Sequence, residues 1–164
     1  MTIEAMMSGD VHSCRPDHTL DYAAAQMWKH DCGSLPVVVT DESGGERRAI
    51  GMLTDRDICM AAMFQGRPLH ELKVADAMSR DIRVVKVGDR AEDVELLMRE
   101  LKIRRVPVTD DTGALVGLVS LADFARAARS LASLRDDDGI SEQDVGHTLA
   151  AICEPGQGRV PPPE

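Results

Sequence analysis

Gly51-Met52-Leu53-Thr54-Asp55-Arg56-Asp57 and, 66 positions later, Gly117-Leu118-Val119-Ser120-Leu121-Ala122-Asp123 share one pattern: a glycine, two apolar residues, a hydroxyl, two unmatched positions and an aspartate. A hydroxyl followed three residues on by a carboxylate has the spacing of a capping box, which starts a helix. The apolar pair before it reads as the end of a strand. Upstream the match continues at an offset of 71: Met7-Ser8-Gly9-Asp10 with Met78-Ser79-Arg80-Asp81, Met27 with Met98, and Leu35-Pro36-Val37 with Val106-Pro107-Val108. The change of offset places five extra residues in the first copy, within Thr40 to Arg48. Two ordered blocks at a fixed spacing mark an internal repeat.

Each copy reads as a lead-in followed by strand, helix, strand, strand and helix, an α+β pattern. In the first copy these are Val11 to Cys14, a helix near Leu20 to His30, Leu35 to Thr40, Ile50 to Leu53, and a helix from Asp55 to about Met63. In the second, Arg83 to Val87 is strand-like, and Ala91, Val94, Leu97, Met98 and Leu101 recur at helical spacing. Val106 to Thr109 and Leu115 to Val119 flank the turn Asp110-Asp111-Thr112-Gly113, and Phe124, Ala128, Leu131 and Leu134 give the closing helix an apolar stripe. The expected boundaries are 1–63 for the first repeat, 64–73 for the linker and 74–134 for the second repeat. Residues 135–164 hold a further helix, capped by Ser141 with Val145, Leu149 and Ile152 inward, and a Pro- and Gly-rich tail. A repeat of roughly 60 residues is marginal alone, so the copies should pack sheet to sheet.

The composition narrows the function. A formal charge of −9 repels a polyanionic duplex, and an aromatic content of 2% leaves few stacking platforms, so nucleic acid is not expected as a partner. No apolar run is long enough to span a membrane and no basic-then-apolar leader opens the chain, so the expected location is the cytoplasm. Cys14, Cys32, Cys59 and Cys153 lack a disulfide or zinc spacing and are expected as reduced, mostly buried thiols. His12-Ser13-Cys14 and His30-Asp31-Cys32 repeat a His-x-Cys pair, but that spacing matches no standard metal pattern, and no metal is expected. The five histidines are not grouped with a nucleophile and the glycines form no P-loop, so the chain does not read as an enzyme.

What remains is the repeated strand-to-helix block. A helix N-terminus presents amide donors to phosphate, and an aspartate one turn on suits the two hydroxyls of a ribose. Arg56 brings positive charge to the first block; Leu121 and Ala122 bring none to the second, where Arg104 and Arg105 stand instead of Gly33-Ser34.

These motifs, together with Ser34-Leu35-Pro36-Val37-Val38-Val39 and Arg104-Arg105-Val106-Pro107-Val108-Thr109-Asp110-Asp111, resemble the tandem CBS-domain family, in particular small bacterial proteins that are little more than one CBS pair. The resemblance implies two β-α-β-β-α repeats packed as a pseudo-twofold pair that binds AMP, ADP or ATP, or in some members NAD or S-adenosylmethionine. It implies that Asp57 and Asp123 hold ribose, that Thr54 and Ser120 contact phosphate or ribose, and that Arg56, Arg104 and Arg105 neutralise phosphate. The base would lie among Ser13, Cys14, Leu35 and Val37, or among Val85, Val106 and Val108. Regulation would act in trans on an unknown protein, through a homodimer whose surface includes Ile58, Met60, Met63, Phe124, Ala125 and Ala128. The competing reading is a homodimeric interaction module with vestigial nucleotide sites.

Overall fold

The structure is a computed structural model in which residues 1–40, 45–132 and 140–154 are described. The loop residues 41–44, the acidic run from 135, Leu134 and the Pro-rich tail lie outside that range. The chain forms two compact units: Met1–Met7 with Gly88–Val106 and Val119–Glu164, and Ser8–Val87 with Pro107–Leu118.

In the second of these units, α1 (Leu20–Lys29) precedes the hairpin β1 (Ser34–Thr40) and β2 (Arg47–Thr54), which runs into α2 (Asp55–Gln65) and, after a short connection, α3 (Val74–Ala77). β1 and β2 pair antiparallel, with Leu35 opposite Leu53 and a bulge between Val37 and Val38. Gly66 ends α2 in the left-handed conformation, φ 60°, which glycine adopts without a Cβ penalty. The core beneath is aliphatic: Leu20, Ala23, Met27, Leu35, Val37, Leu53 and Ile58 pack with Leu72, Val74 and Met78. A smaller cluster joins Val38 and Ala49 of the hairpin to Val11, Leu115 and Leu118, so the sheet faces of the two copies meet through apolar side chains as expected.

β3 (Val85–Lys86), β4 (Arg105–Thr109) and β5 (Leu115–Ser120) form the second sheet, β3 lying parallel to β4. The turn between β4 and β5 is held by Asp110, whose Oδ1 accepts from the Thr112 amide at 2.9 Å and the Ala114 amide at 3.0 Å, with Gly113 at φ 86°. In the other unit, α4 (Ala91–Leu101), α5 (Leu121–Ala132) and α6 (Glu142–Cys153) pack together around the buried side chains of Met98, Val94, Phe124 and Ala128.

The sequence repeat reappears as a repeat of contacts in which the lead-ins are exchanged. Ser79 of the second copy bridges Met52 on β2 of the first, and Ser8 of the first bridges Leu118 on β5 of the second. Thr2 likewise bridges Arg90, and Lys73 bridges Thr19. Each pair maps onto its counterpart under the offsets read from the sequence. Gly51 is glycine because of this exchange: a Cβ there would stand 2.8 Å from the Ser79 carbonyl oxygen.

Two packing expectations are corrected. On α6 the buried residue is Thr148, fully covered, while Leu149 is 48% exposed. A polar network turns that face inward: Arg99 Nε donates to Thr148 Oγ1 at 3.1 Å, and Thr148 and Arg99 both donate to the buried Glu95. On the closing helices, Ile58, Phe124 and Ala128 are core residues rather than surface. The thiols also divide differently from the reading of mostly buried: Cys14 is buried and Cys32 half-buried, but Cys59 and Cys153 are exposed.

Candidate nucleotide site

The first strand-to-helix junction is a complete capping box. The Asp57 amide donates to Thr54 Oγ1 at 3.1 Å, while the Thr54 amide and hydroxyl both donate to Asp57 Oδ2, at 3.0 and 2.7 Å. The structural role of the pair is therefore real. Only Oδ2 is engaged, however, and Oδ1 of the half-buried Asp57 has no partner among the described residues. That oxygen is free to accept from a bound hydroxyl.

The amides at this helix start are less open than the sequence suggested. The Asp55 amide donates to the Gly33 carbonyl at 3.1 Å, and the Arg56 amide to Asp55 Oδ1 at 2.7 Å. With the Asp57 amide on Thr54, the first turn of α2 is satisfied internally, and an aspartate stands where phosphate was expected. Arg56 is exposed on the same turn. One residue beyond Gly33, Ser34 lies opposite Thr54 in the β-ladder; it is 4% exposed and its hydroxyl has no hydrogen-bond partner among the described residues. A buried hydroxyl left unpaired costs on the order of 1–3 kcal/mol and calls for an explanation. Nothing but its position before Leu35-Pro36 singles out Ser34 in the sequence.

The proposed base-lining residues are brought together, mostly as core. Cys14 bridges Val37 in parallel, its amide donating to the Pro36 carbonyl at 3.0 Å. Its thiol is pushed up to about 12 by burial, so it is an inert apolar group. Leu35 and Val37 are fully buried and Ser13 is half-buried. Val85, paired with Val108 on β4, repeats the arrangement of Cys14 and Val37.

At the second junction the Ser120 amide and hydroxyl donate to Asp123 Oδ2, at 2.7 and 2.6 Å. Here the other oxygen is taken: Arg126, one turn along α5, donates to Asp123 Oδ1. Asp123 is 6% exposed, whereas the Arg126 side chain is 63% exposed. The Leu121 amide donates to the Arg104 carbonyl at 2.9 Å, which sets Arg104 and Arg105 at the start of α5. Arg126, absent from the reading of the sequence, is the third cation of this junction; its i+3 spacing from Asp123 was the available clue.

Of the two His-x-Cys pairs, the histidines come together. The rings of His12 and His30 stack with centroids 3.4 Å apart and planes 20° apart, an arrangement in which the in-plane lone pairs do not converge. Among the described residues no group of three potential ligands lies together. No described helix is long and apolar enough to cross a membrane.

Comparison with known proteins meets this geometry at both copies. The CBS domain family model matches residues 3–63 and again 74–130. The chain belongs to the CBS-domain family. It is 36% identical to the CBS domain-containing protein YhcV of Bacillus subtilis over 124 residues, 76% of this chain and 83% of that one. Hypoxic response protein 1 of Mycobacterium tuberculosis is 30% identical over 154 residues, 94% of this chain and 95% of the relative. The crystal structure of Hypoxic Response Protein I with two coordinated zinc ions superimposes with a TM-score of 0.67 at 32% identity, covering 77% of this chain and 98% of that one. The CBS pair of protein MJ0100, crystallised with 5′-methylthioadenosine and S-adenosylmethionine, gives a TM-score of 0.64 at 26% identity, over 77% of this chain and 98% of that one.

Proposed function

We propose that this CBS pair is a regulatory module that binds an adenosine-containing ligand and acts in trans on another protein, as a homodimer and without catalysis of its own. The observation that carries the reading is at the first junction. Among the described residues Asp57 keeps one carboxylate oxygen open, and Ser34, on the strand opposite its capping partner Thr54, buries a hydroxyl with nothing to bond. A ribose diol on Asp57 and a ligand oxygen or nitrogen on Ser34 would satisfy both. The adenosyl ligands of the MJ0100 pair support this class of ligand.

The charges divide the sites. At the start of α5, Arg104, Arg105 and Arg126 favour the phosphates of AMP, ADP, ATP or NAD, with Arg126 leaving Asp123 as the ribose enters. At the start of α2, Asp55 offsets Arg56 and favours an adenosyl ligand of little negative charge, such as S-adenosylmethionine. A vestigial module would need neither the open oxygen nor the orphan hydroxyl.

Calorimetric titration with AMP, ADP, ATP, NAD and S-adenosylmethionine, on the native chain and on Ser34→Ala, tests the proposal. Removing an orphan hydroxyl leaves stability equal or higher, while affinity for the ligand of the first site falls about tenfold. No binding of any of the five compounds, or unchanged affinity in Ser34→Ala, refutes it.

A further inference from the structure

The two junctions differ at one position that the repeat makes directly comparable. Under the offset of 66 that relates Asp57 to Asp123, Arg126 of α5 stands where α2 has Met60. Arg126 donates to Asp123 Oδ1, and Oδ2 accepts from the Ser120 amide and hydroxyl, so both oxygens of Asp123 are engaged. The Asp123 side chain is 5% exposed. A methionine offers no such donor, and at the first junction Thr54 engages only Oδ2 of Asp57.

This arrangement sets a condition on any ligand whose ribose is to reach Asp123. The ribose hydroxyls must take the place of Arg126 on Oδ1, and neutral hydroxyls bring no charge to replace that of the guanidinium. A nearly buried carboxylate parted from its cation is left uncompensated. Losing one charge-assisted bond weakens binding roughly 10–100-fold. A ligand with an anion of its own meets the condition. Its 5′-phosphate, one ribose ring away from the diol, takes up the displaced guanidinium and keeps it beside Asp123. Arg104, whose carbonyl accepts from the Leu121 amide, stands at the same end of α5.

Arg126 also has room to move. It borders a cavity of about 370 Å³ between α5 and α6, and its side chain is 63% exposed, so it can turn without displacing a core residue. Glu142 lines the same cavity, but it is exposed, and a solvated carboxylate offsets little of the lost pair. Only an anion brought in by the ligand, close to the buried carboxylate, restores the balance of charge.

We propose that Arg126 is a specificity latch, which closes the second junction to neutral adenosine derivatives and admits those with a 5′-phosphate, while Met60 leaves the first junction open to neutral ones. The proposal rests on the adenosyl-ligand reading above and adds the residue that sorts the ligands. Calorimetric titration of the full chain with AMP and adenosine, which differ only by the phosphate, tests it. In Asp57→Asn, whose first site is weakened, AMP binds and adenosine binds at least about tenfold more weakly. Adding Arg126→Met raises the adenosine affinity about tenfold or more and lowers that of AMP, so the preference collapses. An arginine that merely touched phosphate would leave adenosine unchanged. In the otherwise native chain, Met60→Arg installs the latch beside Asp57 and lowers adenosine affinity at least about tenfold. This gives a second test should Arg126→Met fold poorly. Adenosine affinity that fails to rise in Arg126→Met, or to fall in Met60→Arg, overturns the latch and leaves the adenosyl reading standing. A native chain that binds neither probe overturns the latch as well, and one that also refuses ADP, ATP, NAD and S-adenosylmethionine overturns the adenosyl reading with it.

Discussion

Replacing each site aspartate by asparagine separates the two junctions in a way that their matching sequences do not. In Asp57→Asn, the amide oxygen takes over the two bonds from Thr54 now accepted by Oδ2, and the NH2 group points where Oδ1 was unpartnered. The cap survives with weaker acceptor strength, so the cost is about 1 kcal/mol or less, the range of a partial capping loss. In Asp123→Asn, keeping the oxygen toward Ser120 turns the NH2 group against the Arg126 guanidinium. The alternative orientation loses the bond from the Ser120 amide instead and sets one donor against another. At a site 6% exposed this costs about 2–3 kcal/mol, with the Arg126 contribution discounted because its side chain is largely solvated. For a chain of this size a kcal/mol moves Tm by about 2–4 °C, so melting curves should drop by up to about 4 °C for Asp57→Asn and by about 4–12 °C for Asp123→Asn. Ligand affinity follows the other order: Asp57→Asn loses at least about tenfold because Oδ1 is already open, with much less change in stability. Equal melting losses in the two variants would refute the role given to Arg126, and unchanged affinity in both would sink the ribose assignment.

Other changes probe the scaffold. Gly51→Ala should destabilise by about 1–3 kcal/mol, since the new methyl meets the backbone oxygen of Ser79, and chemical denaturation measures it; a neutral result would mean that the exchanged lead-in is loose. Thr148→Val keeps the shape of α6 but removes a donor from buried Glu95, and a loss of about 1–3 kcal/mol is expected by the same assay, whereas a gain would show that the network only replaces a better apolar contact. His18 and His30 are both held below the usual 6.5, His18 by desolvation and then by Arg15, His30 by desolvation and then by His12. Because the folded chain binds these protons less readily than the unfolded one, their contribution is complete above about 6.5 and is lost as pH falls through the lowered folded values. Melting temperatures should therefore decline on acidification from pH 7 to 5, less so in His30→Gln; a rise would contradict the sign.

Much of this was legible in the chain because repetition turns one weak motif into two that check each other. The hydroxyl–carboxylate pairs and the Cys14 and Val85 positions at the strand edges fall where the offsets put them, and the Asp110 turn falls where its turn residues put it. What was not legible depended on partners distant in sequence. No periodicity tells Ser8 to pair with Leu118 rather than with its own copy. The apolar pattern of α6 favoured Leu149, because a threonine gains burial only when Glu95 and Arg99 are there to meet it. The pairing of Asp123 with Arg126 lies within one turn, and was obscured by reading the block only as far as its aspartate.

The crossed lead-ins also govern how the chain is made. As it leaves the ribosome from its N-terminus, the first repeat has every helix and strand of its own well before the Met78-Ser79 segment arrives to occupy Met52, and Ser8 waits for Leu118, 110 positions later. During that interval β2 presents a vacant edge to other nascent chains. Folding must close these long loops together, which predicts slow kinetics for a protein of this size, and two separately expressed halves should be soluble only when each supplies the other's lead-in.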